Sequence, residues 1–256
     1  IDAQHAVFGR RSIGGALIKL NNNSVCVLVK PGQRHPQRRS RDEKAMAGSI
    51  IHLNRDPVGF ATCADSLDPH MFDSELPVQH THLYHEDDNR GFYVGVWDTT
   101  AMVERASPYP CDEFMWLLEG EATIENSATG EVQTARAGEA FIIPRGYHCR
   151  WRQRGYLRKF FVILEPPEVP IPNPPAVTGI IKPATSGGHN SAREFPLLGS
   201  TFAPAEAPCY RATSGRFEAG SWTGSPFELD TMTTGHDTFV YLLEGSLSIE
   251  QDDDLR

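Results

Sequence analysis

No run of about 18 apolar residues interrupts this 256-residue sequence, so a membrane-spanning helix is not expected. Cysteine is scarce. The five residues (Cys26, Cys63, Cys111, Cys149, Cys209) are odd in number, widely spaced and never arranged as Cys-x-x-Cys. That pattern disfavours a disulfide framework or a zinc knuckle and predicts reduced thiols in a cytoplasmic setting. Gly-rich phosphate loops, Gly-x-Ser-x-Gly and Cys/His nucleophile arrangements are also missing, which removes the motif-level case for nucleotide hydrolysis and serine or cysteine hydrolase chemistry. Net charge is −9 and unevenly spread: residues 1–45 hold nine basic against three acidic side chains, so the remainder is more acidic than the total suggests. Such a body repels phosphate backbones, and nucleic acid is not an expected partner. What the chain does have is turn chemistry, with 19 prolines and 22 glycines, which suits many short strands better than long helices.

The most informative feature is a repeat at an offset of 125 residues. Phe92 to Gly120 (FYVGVWDTTAMVERASPYPCDEFMWLLEG) aligns without a gap with Phe217 to Gly245 (FEAGSWTGSPFELDTMTTGHDTFVYLLEG). Gly95 matches Gly220, Trp97 matches Trp222, and Leu117-Leu118-Glu119-Gly120 matches Leu242-Leu243-Glu244-Gly245. An offset of that length is the size of a domain, not of a solenoid unit. Each copy ends in an apolar run, a Gly turn and a returning polar strand (Glu121 to Glu125; Ser246 to Glu250). In the first copy a second block follows, Ala137-Gly-Glu-Ala-Phe-Ile-Ile-Pro-Arg-Gly146, with Gly138 at a turn and Pro144 ending a short apolar strand.

These two blocks resemble the paired motifs of the cupins. The Gly-x-Trp opening, Asp112-Glu113 ahead of the apolar run and Trp151 beyond the second motif narrow the resemblance to the (S)-ureidoglycine aminohydrolase-type cupin family. The resemblance covers residues 92–164 well and 195–250 in part. It implies an all-β fold of tandem cupin (RmlC-like jelly-roll) barrels, a bicupin. The expected organisation is a basic extension at 1–45, a first cupin domain at 46–165, a proline-rich linker at 166–194 and a second cupin domain at 195–256. By the offset, the partner of the block at Gly138 would start near residue 263, so the second barrel is expected to be truncated and the chain a fragment. Three readings compete for residues 1–45: sequence upstream of a start at Met46, a native flexible extension, or an Arg-rich organelle transit peptide. Ala16–Leu20 and Val25–Val29 within it suit either strands or a short helix.

Metal cupins hold iron, manganese, nickel or zinc with three imidazoles and a carboxylate inside the barrel. Carried over from the resemblance, the carboxylate position is Glu113, the first two histidine positions are Ser107 and Tyr109, and the last is Cys149, beside His148. In the second copy the equivalents are Met232, Thr234 and Thr238. The resemblance therefore implies barrels without the usual metal site: no cofactor is specified, and a divalent transition metal is disfavoured. Glu113, Tyr109, Cys149, Ser107, His148 and Trp151 are the pocket candidates, with a carboxyl among Phe114, Phe141 and Trp151 expected to have a raised pKa suited to acid–base work. A rival cluster, His80-x-His82-x3-Glu86, has metal-donor side chains but reads as a polar His-rich loop. Arg150, Arg152, Arg154, Arg158 and Lys159 flank a strand near the barrel mouth and suit either steering of an anionic substrate or, by alternation, an ordinary solvent face.

Two functions of different classes follow. The resemblance implies a cupin-type hydrolase or related enzyme acting on a small ureido or amino-acid-like metabolite. The loss of ligand residues points instead to a non-catalytic small-molecule-binding or dimerisation cupin. The expected partners are a small-molecule ligand and, as cupins often pair through barrel edges, a second copy in a homodimer; neither nucleic acid nor membrane is expected. The cytoplasm is the expected location, with organelle targeting by the basic N-terminus as the alternative.

Overall fold

The structure is a computed structural model that describes residues 6–9, 17–31, 50–183, 205–224, 227–229 and 237–250. Its strands run β1 (Ala6–Gly9), β2 (Leu17–Pro31), β3 (Ile50–Leu53), β4 (Gln79–Asp87), β5 (Phe92–Thr99), β6 (Met102–Val103), β7 (Ser107–Pro108) and β8 (Asp112–Glu119). They continue as β9 (Glu121–Asn126), β10 (Val132–Arg136), β11 (Ala140–Ile143), β12 (His148–Gln153) and β13 (Leu157–Leu164). The last are β14 (Ala205–Arg211), β15 (Phe217–Gly224), β16 (Phe227–Leu229) and β17 (Thr238–Glu250). Helical structure among the described residues is one 3-10 turn at Pro69–Met71, capped by Asp68, and no helix among them is long and apolar enough to cross a membrane. The all-β expectation holds, and the sheets are those of a cupin jelly roll.

The chain divides into two compact units, Leu53–Lys182 and a second made of Ile1–His52 with Pro183–Arg256. In the first, one sheet has the order β11-β8-β13-β5-β4 and the other β10-β9-β12-β6, with β7 on β12. Strand alternation explains why they face each other: Met115 and Leu117 on β8, Phe141 and Ile143 on β11, Ile124 on β9 and Trp151 on β12 are all buried in one cluster. The two sequence motifs clasp through the backbone. The Leu117 N–H donates to the Glu139 carbonyl (3.0 Å), Gly138 N–H to Leu117 (2.8 Å) and Ala137 N–H to Gly120 (2.9 Å). Gly120 turns β8 into β9 at φ 82°, a left-handed conformation that suits glycine. Gly95 serves a different need: a Cβ there would lie 2.5 Å from the Phe161 ring.

Two expectations change. The His-rich stretch expected as a loop is strand β4, paired with β5 from Gln79↔Thr99 to Asp87↔Phe92 with a bulge at Leu83/His85. An edge strand with one wetted face carries polar side chains without ceasing to be a strand, so polarity alone misleads. The proline-rich stretch expected as linker contributes to the first unit as far as Lys182, with Ile180 buried in the core and Ile181 bridging to Ile142.

The second unit holds a seven-stranded sheet of order β14-β15-β2-β17-β1-β3, with β16 on β2. Within residues 1–45, the described segments 6–9 and 17–31 are strands of this sheet.

Candidate functional site

The inner face of β8 and β13 carries an ion pair in the barrel core. The Lys159 ammonium donates to Glu113 Oε1 at 2.8 Å, and the two residues are only 6% and 4% exposed. The Tyr109 hydroxyl donates to the other carboxylate oxygen, Glu113 Oε2. Lys159 Nζ also lies 3.3 Å from Met115 Sδ, 4.6 Å from the centre of the Trp97 ring and 4.9 Å from that of Trp151. The two indoles meet edge to face with centroids 6.4 Å apart, and the Trp151 N–H donates to Gln153 Oε1 at 3.2 Å. Ammonium over aromatic faces is a favourable desolvated arrangement, so the cation is held by both charge and quadrupole.

Strand geometry delivers these groups. On β13, Leu157 and Lys159 alternate inward while Arg158 turns away to Asp98 (3.1 Å), and a bulge between Arg158 and Lys159 marks where β13 slips against β8. Lys159 is therefore not on a solvent face, contrary to one of its two sequence readings. Lys159 stands two positions from buried Leu157 and Phe161, on the side of the strand that β13's place between β8 and β5 makes interior.

Glu104 is the second residue that sequence reading missed. It follows β6, bonds its N–H to the Trp151 carbonyl (2.9 Å), and remains half-buried. Desolvation pushes its carboxyl up to about 7; Lys159 opposes and Glu113 reinforces that shift. Tyr109 is held well above the ordinary phenol range, first by burial and then by the Glu113 carboxylate. Burial pushes the Cys149 thiol up to about 12, with Glu104 adding to it. Trp97, Glu104 and Tyr109 are half-buried, whereas Glu113 and Lys159 are buried.

Of the sequence candidates, Glu113 and Tyr109 bond directly, and Cys149 and Trp151 share the core cluster against which Tyr109 packs. Ser107 lies opposite Cys149 in the β7–β12 pair but is exposed, and His148 is exposed on the same strand as Cys149. Met232 and Thr234 lie outside the described residues; Thr238 is buried at the start of β17. His80 is engaged by Asp98 at 2.7 Å, His82 stacks edge-on against Tyr84, and Glu86 is exposed. Among the described residues no group of three His, Cys, Asp or Glu side chains is placed to hold a metal ion.

The donors at the four cupin ligand positions do not fit a transition metal. The phenol and thiol must lose protons to ligate well, and burial opposes both losses. Glu113 already has a counter-cation in Lys159.

A pH consequence follows from Glu104. A carboxyl whose folded pKa is raised favours the folded state fully below its unfolded pKa, and that contribution is lost as pH rises through the folded value. Relative to a Glu104→Gln variant, the wild type should therefore lose stability between about pH 4.5 and 7 and change little above. Urea midpoints of the two proteins at pH 4.5, 6 and 8 check this; a constant difference would contradict it.

A model of the EutQ-like cupin domain matches residues 86–161. No curated protein shows significant similarity to the chain. Among solved structures, a protein of unknown function from Pseudomonas syringae pv. tomato is 21% identical, with 64% of this chain and 83% of that one covered and a TM-score of 0.42. The EutQ protein of Clostridium difficile is 20% identical over 36% of this chain and 71% of its own, with a TM-score of 0.31. The polyketide cyclase RemF of Streptomyces resistomycificus is 18% identical over 37% and 70%, also at 0.31. With the jelly-roll sheets and the matched segment on β4 to β13, the chain is a cupin-domain protein.

Proposed function

We propose that the barrel of residues 53–182 is a metal-independent binding site for a small amino-acid-like or ureido metabolite. The observation that supports this reading is the buried Lys159–Glu113 pair with half-buried Trp97, Glu104 and Tyr109 as neighbours. One ammonium and two carboxyl groups complement a small zwitterion: a ligand carboxylate is drawn to Lys159, and ligand N–H groups to Glu104 and Glu113. The Trp97 and Tyr109 rings exclude water from the ligand's short carbon frame.

A hydrolase is the second reading, favoured by the near-neutral pKa of Glu104. In its ionised form this carboxylate can take a proton from a water whose oxygen bonds to a ureido or amide carbon. The protonated form then returns the proton to the nitrogen as the C–N bond breaks, releasing ammonia or an amine.

Calorimetric titration with glycine, alanine, N-carbamoylglycine and urea, alongside an ammonia-release assay, tests both readings. Saturable binding of a zwitterion or carbamoyl acid, weakened about tenfold or more in Glu104→Gln, is expected. Ammonia release abolished in the same variant would select the hydrolase; no binding by any of the four would sink the binding reading.

A further inference from the structure

We propose that β1 and β2 are the returning strands of a second cupin-type sheet, assembled in circular order, in which the ionic pair of the first barrel has been replaced by uncharged residues. The first unit's sheet runs β11-β8-β13-β5-β4; in the second unit β1-β17-β2-β15-β14 stand in the corresponding order. The registers agree residue by residue. Phe161 lies opposite Gly95 and Met115, and Leu28 lies opposite Gly220 and Val240, each partner 125 residues later. Lys159 lies opposite Trp97 and Leu117, and Cys26 opposite Trp222 and Leu242. At the sheet's other side, Ala140 faces Trp116 as Ala6 faces Tyr241.

The correspondence extends into the opposing layer of the first barrel. Trp151 of β12 pairs with Ile124, and Ile18 pairs with Ile249, the residue 125 positions beyond Ile124. From Trp151 to Ile18 and from Phe161 to Leu28 the displacement is the same 133 residues, so β2 follows the span of β12 and β13 as one continuous strand. Such agreement follows if the N-terminal strands descend from the same block as β11 to β13. It also has a direct physical role: β2 pairs along both β15 and β17, and without it each would present an unpaired backbone edge.

The exchange at the ionic site is read from position. Cys26 occupies the register of Lys159, and Thr238 the position of Glu113 in the repeat. Thr238 is buried, and its hydroxyl has no hydrogen-bond partner among the described residues. A thiol and a hydroxyl supply no ammonium–carboxylate pair, so this sheet is a structural counterpart of the first without its charge.

Amide hydrogen exchange on the full chain tests the assembly. Amides of residues 25–30 should exchange at least ~100-fold more slowly than an unstructured chain, along with 217–223 and 238–242. Leu28→Pro removes one strand donor and should accelerate exchange in both flanking segments by ~10-fold or more, while 112–119 and 157–164 keep their protection. Coil-like exchange at 25–30 in the wild type would overturn the proposal whether or not 217–223 is protected. So would unchanged protection of both flanks in Leu28→Pro, and the wild-type comparison stands whatever the variant does to folding.

Discussion

Lys159→Met should cost the unit of residues 53–182 about 3–5 kcal/mol, the range for breaking a buried ion pair by removing one partner. The methionine fills much of the lysine's space between Trp97 and Trp151, so the loss comes mainly from the Glu113 carboxylate. That group would keep only the Tyr109 hydroxyl as its hydrogen-bond donor among the contacts seen here, in a setting 4% exposed. Replacing both members, as Lys159→Met with Glu113→Gln, should recover most of the loss, because an uncharged pair of similar size removes the desolvation problem together with the attraction. Urea unfolding followed by tryptophan emission reads this in a Trp222→Phe background, which leaves Trp97, Trp116 and Trp151 as reporters of the unit. A single-variant loss below about 1 kcal/mol, as for exposed pairs, would show that the pair is solvated.

Gly120→Ala should be comparably damaging for a backbone reason. At φ 82° an L side chain is strained by roughly 1–2 kcal/mol. The added Cβ would also stand 2.3 Å from the Tyr156 carbonyl oxygen, a backbone atom that cannot swing aside. Overpacking of that kind adds about 1–3 kcal/mol. Gly138→Ala is the control, since its φ is 84° but nothing lies within 4 Å of the new Cβ. It should cost only the conformational part, roughly 1–2 kcal/mol. Equal losses at the two positions, measured by the same unfolding curves, would contradict the close approach at Gly120.

What was legible in the sequence is what local chemistry encodes. The apolar run into Gly120 and the Gly138–Pro144 block announce strand, turn and strand, and β8, β9 and β11 form there. Glu113 and Tyr109 were legible as pocket candidates through the cupin resemblance, and they bond to each other. Lys159 was not legible, because a basic residue beside Arg158 looks like a solvent face until β13 is known to lie between β8 and β5. Glu104 was hidden for a related reason: its raised pKa comes from desolvation by the folded barrel and from the Glu113 carboxylate, with Lys159 opposing, and none of these is visible in its local sequence. The His-rich segment misled in the opposite sense, since its polar side chains suit an edge strand as well as a loop.

The central claim is that the resident cation of the first barrel is the Lys159 ammonium. Elemental analysis of the full chain purified without chelator tests it most directly. The account predicts iron, manganese, nickel and zinc all far below one per chain, unchanged in Glu113→Gln. Near-stoichiometric metal that persists in a His80→Ala/His82→Ala variant and disappears in Glu113→Gln would contradict it.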